Sequence, residues 1–135
     1  MPVTDPADSP IDLAKDYVRE DQPLYAVELL EPWLAEYPED ASAWSVMAAA
    51  RYQLDNLPEA RIAAAKAVDL RPKSARNWCN LGMIMRKTGE LYEEERALHR
   101  ALSLDRNYNR ARVELGKIHD LRTGDSRPIE DDDFV

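Results

Sequence analysis

Histidines, cysteines and paired carboxylates are the usual agents of protein chemistry, and in this chain they are sparse. His99 and Glu95 are four residues apart, so a helix would present them on one face. Two ligands do not complete a zinc site, which wants three or four, and His119 stands far along the chain with no paired cysteines beside it. Cys79 is the single cysteine. It has no sequence-local histidine to deprotonate it and sits next to Trp78, so it reads as packing or groove wall rather than as a nucleophile. The run Glu93-Glu94-Glu95 lacks the partner arrangement of acid–base catalysis and reads as a solvated face except at Glu94. The four glycines, Gly82, Gly89, Gly116 and Gly124, are scattered and build no phosphate loop. The reading is of a protein that is not an enzyme and needs no metal or cofactor.

The scaffold must come from a chain of 135 residues, 44% of them hydrophobic, enough for one patterned core and too little for two compact domains. With 26 acidic against 18 basic residues the formal net charge is -8, which disfavours non-specific attraction to nucleic acid or to anionic membranes. A single cysteine excludes an intramolecular disulfide. The first residues, Met1 to Ser9, lack the basic region and apolar run of a signal peptide, and nowhere is there an apolar stretch long enough to span a bilayer. The default expectation is cytoplasmic.

One spacing keeps returning. Trp44 and Trp78 are 34 residues apart, as are Pro38 and Pro72, Ala67 and Ala101, and Leu70 and Leu104. The same step links Leu13, Met47, Leu81 and Leu115, and beside them Ala14, Ala48, Gly82 and Gly116. Helices approach closely only where one presents little side chain, so the second series marks notches and the first the apolar ridges beside them.

Each period holds two helices. Ser9-Pro10 opens the first, with Ile11, Leu13, Ala14, Tyr17 and Val18 at helical spacing as far as Glu20. Pro23 opens the second, which runs through Ala26, Leu30, Trp33 and Leu34 to Tyr37, with Pro32 expected to bend it and Pro38 to stop it. The plan repeats over Ala41 to Leu54 and Pro58 to Arg71, then over Lys73 to Thr88 and Glu90 to Leu104, with Gly89 as a carboxyl-terminal cap. A last helix spans Asn109 to Leu121. Short turns force these helices to pack on their sequence neighbours.

The segments Trp44 to Pro72 and Trp78 to Leu104 resemble the tetratricopeptide repeat, through Trp44, Met47, Ala48, Ala60, Ala64, Ala67 and Pro72, and through Trp78, Leu81, Gly82, Gly89, Leu98 and Ala101. Residues before them match through Leu13, Ala14, Tyr17, Ala26, Leu30 and Pro38. The resemblance implies an all-α, right-handed tetratricopeptide-like α-solenoid of three helical hairpins (about 7–40, 41–74 and 75–108) and a capping helix (109–121), within a repeat domain of residues 9–122. Its structural core would include Leu13, Ala14, Trp33, Trp44, Met47, Ala48, Ala60, Ala67, Trp78, Leu81, Gly82, Leu98, Ala101 and Leu115. Glu94 departs from the pattern, standing where Ala26 and Ala60 stand, and implies a splayed or shifted third hairpin. Arg51 and Met85 stand in the slot of Tyr17, and Arg106 replaces the closing proline.

In that family the first helix of each hairpin lines a concave face where peptides are held. Carried over, this geometry places Lys15, Tyr52, Arg76, Asn80, Met83, Arg86, Lys87, Arg110 and Lys117 toward a ligand, with Cys79 in the groove wall. A guanidinium grips a carboxylate through two parallel hydrogen bonds and an asparagine amide pairs with peptide backbone, so Arg76, Asn80, Arg110 and Lys117 are the preferred contacts. The expected partner is an acidic or carboxylate-bearing segment of another protein or peptide, with no nucleic acid and no membrane. The set of lysines and asparagines that receives a chaperone tail is matched only by Arg76, Asn80 and, less closely, Lys15. The alternative is a self-association scaffold forming homo-oligomers, which exposed apolar residues at Ile62, Val68 or Ile118 would favour. Residues 1–8 are expected to be flexible. The acidic tail, 123–135, is expected to be disordered and able to compete for the basic groove.

Overall fold

The computed structural model describes residues 9–123 of the chain. Among them are seven helices: α1 (Ile11–Arg19), α2 (Pro23–Glu36), α3 (Ala41–Gln53), α4 (Leu57–Leu70), α5 (Ala75–Lys87), α6 (Leu91–Leu104) and α7 (Asn109–Thr123). Their packing divides into an amino-terminal unit, Met1–Pro72, and a carboxyl-terminal unit, Lys73–Val135. The expected flexible start at 1–8 and the acidic tail from Gly124 onward, with its proposed return to the groove, lie outside the described residues.

The turn inside each hairpin is the same device. Asp21 (φ 58°), Asp55 (φ 61°) and Gly89 (φ 81°) occupy one register position and adopt the left-handed backbone. The amide after each returns to the preceding helix, Gln22 to the Tyr17 carbonyl at 2.8 Å, Asn56 to Arg51 at 2.9 Å and Glu90 to Met85 at 2.9 Å. These bonds satisfy helix-end carbonyls that would otherwise lack a donor. Glycine was legible as a cap in the third turn. In the other two an aspartate takes the same conformation, which its short polar side chain tolerates better than most.

In the amino-terminal unit α1 packs on α2 and α3, α2 on α3, and α3 on α4. Fully buried alanines, Ala14, Ala26, Ala43, Ala50 and Ala60, let these helices approach, and Leu30, Trp33 and Leu34 fill the space beside them. Asp40 fixes the junction of α2 and α3. One carboxylate oxygen accepts the Trp33 indole N–H at 2.9 Å and the other accepts the Ala43 amide at 3.2 Å, capping α3. α2 continues through Pro32 to Glu36 without a break. α1 starts one residue late, because Pro10 takes the cap position while the Ser9 hydroxyl accepts from the Ile11 amide at 3.3 Å.

Four core assignments need correction. Leu13 is 49% exposed, although its register mate Met47 is buried. The reason is topological: α3 receives α2 over Met47, and α1 has no described helix in that place. Trp44 and Trp78 are half-buried. The Trp44 indole N–H reaches the Pro38 carbonyl at 2.8 Å, so its ring stays at the margin of the packing. Leu115 is also only partly buried and packs on the core of the carboxyl-terminal unit from its edge.

In that unit α5 packs on α6, and α7 covers both. Its core is Cys79, Leu98, Ala101, Ala111 and Ile118. The expected splaying of the third hairpin is not observed. A Cβ placed on Gly82 would stand 3.2 Å from two carbons of the Leu98 side chain, so α5 and α6 are already in close approach. Glu94 is accommodated differently: its side chain is fully buried and meets Arg86 Nε at 2.7 Å. The charge misfit of the sequence pattern is thus answered by a counter-charge from α5 rather than by a shift of helices.

Candidate functional site

The residues expected at a ligand divide between the units. Lys15 on α1 and Tyr52 on α3 are half-buried in the amino-terminal one. Arg76, Asn80, Met83, Arg86 and Lys87 belong to α5, and Arg110 and Lys117 to α7, its neighbour in the carboxyl-terminal unit. Of this second group Arg76, Lys87, Arg110 and Lys117 are exposed, Asn80 is half-buried, and Met83 is half-buried against the core cluster.

Tyr108, which sequence reasoning did not select, brings two of them together. Burial pushes the Tyr108 phenol above its ordinary value, with the nearby Cys79 adding to the shift. Arg76 and then Arg110 oppose it, and Arg76 also hydrogen-bonds to the phenol. Arg76 in the first turn of α5 and Arg110 in that of α7 thus both act by their charge on one half-buried phenol. The available signal was positional. Tyr108 falls 34 residues after Ser74, whose hydroxyl caps α5 by accepting the Asn77 amide at 3.2 Å, so an aromatic ring stands where a small capping residue would serve.

Arg86, also expected at the ligand, is engaged within the unit. Besides Glu94, it donates from Nη1 to Glu114 Oε2 at 2.6 Å and from Nη2 to the Glu114 carbonyl at 2.8 Å. Its side chain is 24% exposed and ties α5 to α6 and α7. Lys117 leans on the same carboxylate, 3.1 Å from Glu114 Oε1, but remains half exposed. Burial pushes Glu94 above the ordinary carboxylate range, and the charge of Arg86 opposes that shift. Glu114 was not anticipated. A second carboxylate for Arg86 on another helix packed against α5 could have been sought once Glu94 was found at a small-residue position.

Cys79 is fully buried and so is core rather than groove wall. Burial raises its thiol to about 11, Arg110 opposing and Glu114 adding to the shift, which leaves it protonated at neutral pH. His99 Nε2 is 3.8 Å from Glu95 Oε1 on the exposed side of α6. Among the described residues no group of three or more His, Cys, Asp or Glu is placed to hold a metal ion. No described helix is long and apolar enough to cross a membrane.

No protein-family model and no curated protein matches the sequence. Solved structures do. The Yersinia enterocolitica type III secretion translocator chaperone SycD superposes with a TM-score of 0.80 at 17% identity, over 90% of this chain and 97% of that one. The second tetratricopeptide domain of human RPAP3, in complex with the HSP70 peptide SGPTIEEVD, gives 0.76 at 22% identity, over 82% of this chain and 92% of that one. MamA gives 0.78 at 22% identity, over 83% of this chain, which spans 66% of the MamA chain. Helices, turns and superpositions agree: this chain has the tetratricopeptide fold, an all-α solenoid of helical hairpins.

Proposed function

We propose that the chain is a protein-interaction module whose carboxyl-terminal unit holds an acidic or carboxylate-bearing peptide on the face shared by α5 and α7. The observation that carries this reading is the placement of two exposed arginines, Arg76 and Arg110, in the first turns of the neighbouring helices α5 and α7, where both act by their charge on the half-buried Tyr108 phenol. Two planar cations beside a half-buried phenol form a fork for a carboxylate, and Asn80, one turn along α5 from Arg76, stands in reach of peptide backbone. Arg86 holds the helices in place and does not contact the peptide.

The structural neighbours support the class of ligand. The RPAP3 domain is complexed with SGPTIEEVD, the first tetratricopeptide domain of Spaghetti is bound to SRMEEVD, and SycD is complexed with a peptide of YopD. The first two peptides end in consecutive glutamates before the terminal residues, which suits a basic fork.

The test is fluorescence anisotropy with labelled SGPTIEEVD as an acidic probe and its glutamine-substituted, carboxyl-amidated form as control, at low and moderate salt. The acidic probe should bind more tightly, and Arg76→Glu with Arg110→Glu should weaken it at least tenfold while helicity is retained. Equal affinity for both probes, or binding indifferent to the double substitution, refutes the assignment. Self-association draws less support, because of the three residues expected to favour it Val68 and Ile118 are buried and Ile62 alone, 60% exposed, lies on the surface.

A further inference from the structure

The amino-terminal unit carries an apolar face that the peptide site does not use. Leu13 is 49% exposed, Tyr25 is 53% exposed, and Tyr17 lies between them, one turn from Leu13 on α1 and with its ring 5.3 Å from that of Tyr25 on α2. These side chains make one stripe across the outer side of hairpin α1–α2. The repeat shows what such a stripe is for. Shifted by 34 residues, the same positions are Met47, Arg51 and Glu59 on α3 and α4. There Leu34 and Ala35 of α2 flank the groove above them, and α2 donates Glu31 to an ion pair with Arg51 at 2.8 Å. Met47 is buried as a result, while Leu13, its equivalent, is not.

We infer that the α1–α2 stripe is a docking surface for an amphipathic helix of another protein, laid across Leu13, Tyr17 and Tyr25 as α2 lies across Met47 and Arg51. The charge around the stripe says which kind. Asp16 and Glu20 follow Leu13 at the helical spacings that put them beside it, Asp21 holds the turn, and Glu28 lies one turn along α2 from Tyr25, all four exposed. Arg19 answers Asp16 at 3.2 Å, but both side chains are more than half exposed and the pair leaves most of the acidity in place. An apolar stripe with an acidic border fits a helix with an apolar seam and lysine or arginine flanks. It disfavours a second copy of this chain, whose own border would bring like charges together and whose net charge is -8.

The probe is a designed amphipathic helical peptide with a leucine and alanine seam and lysine flanks, compared with one whose flanks are glutamate. Against the full chain, anisotropy should show the lysine-flanked helix binding at least tenfold more tightly. Leu13→Glu with Tyr25→Glu should weaken that binding at least tenfold and leave the SGPTIEEVD probe unaffected, since it changes exposed residues in the other unit. Far-ultraviolet circular dichroism of the variant checks that the helices persist. Four results overturn the inference: no discrimination between the two helices, no effect of the double substitution, concentration-dependent dimerisation by light scattering that the same substitution abolishes, or binding seen only after residues 1–8 are removed. The third makes the occupant a second copy and the fourth the chain's own start. None of them bears on the peptide site of the carboxyl-terminal unit.

Discussion

Replacing Arg86 with methionine keeps most of the aliphatic stem and removes the charge. Glu94, fully buried, and Glu114, 8% exposed, then lose their shared cation. Removing one partner of a buried ion pair costs about 3–5 kcal/mol, because the remaining charge is left desolvated and uncompensated. Arg86 is 24% exposed, and Glu114 keeps Lys117 at 3.1 Å, so the low end, about 3 kcal/mol, is expected. Glu94→Ala behaves oppositely. It removes a carboxylate whose burial is unfavourable, leaves Arg86 with Glu114, and installs the residue type of Ala26 and Ala60, so a change within about 1 kcal/mol is expected. The double variant should therefore recover a good part of the single Arg86 loss.

The pH dependence supplies an independent check. Glu94 already has its pKa raised, with burial the leading cause and Arg86 opposing. Without Arg86 it rises further. A carboxyl with a raised folded-state value stabilises the fold fully below its unfolded value and loses that contribution as pH climbs through the folded one. The penalty of Arg86→Met should accordingly be larger at neutral pH than at mildly acidic pH. Urea denaturation followed by circular dichroism at the two conditions measures both effects. A loss at neutral pH below about 1 kcal/mol, or a penalty that grows on acidification, would refute the reasoning that Arg86 neutralises buried carboxylates.

Cys79, protonated and enclosed, should resist iodoacetamide near neutral pH in the folded protein and react promptly in denaturant, and mass spectrometry of timed samples measures the ratio. Gly82→Ala gains about 1 kcal/mol of helix propensity but drives a methyl into Leu98, which is fully buried, so a net loss of about 1 kcal/mol in chemical denaturation is expected. Asp40→Ala removes the α3 cap and the acceptor of the Trp33 indole together, and should destabilise by about 2 kcal/mol with a shift in tryptophan fluorescence, whereas Asp40→Asn should lose less than half of that.

The sequence by itself determined the helices. Proline at helix starts, small residues recurring in one register and apolar ridges beside them are local features, and a helix forms or stops by local rules. The observed bounds consequently follow the spacing to within about two residues. It also placed most side chains of the helix–helix contacts, since 3.6 residues per turn converts position into face, with Leu13, Trp44, Trp78 and Leu115 the exceptions. What only tertiary structure decided was the neighbour across each face. Leu13 and Met47 are equivalent in the repeat, yet one is exposed because no described helix lies over it and the other is buried beneath α2. Arg86 looked like a ligand contact because its position on α5 is first-helix surface, but Glu94 and Glu114, eight and 28 residues away in sequence, claim it. Arg76 and Arg110 act together on Tyr108 for the same reason in reverse: electrostatic energy falls with distance, and only the folded chain sets which charges lie near one another.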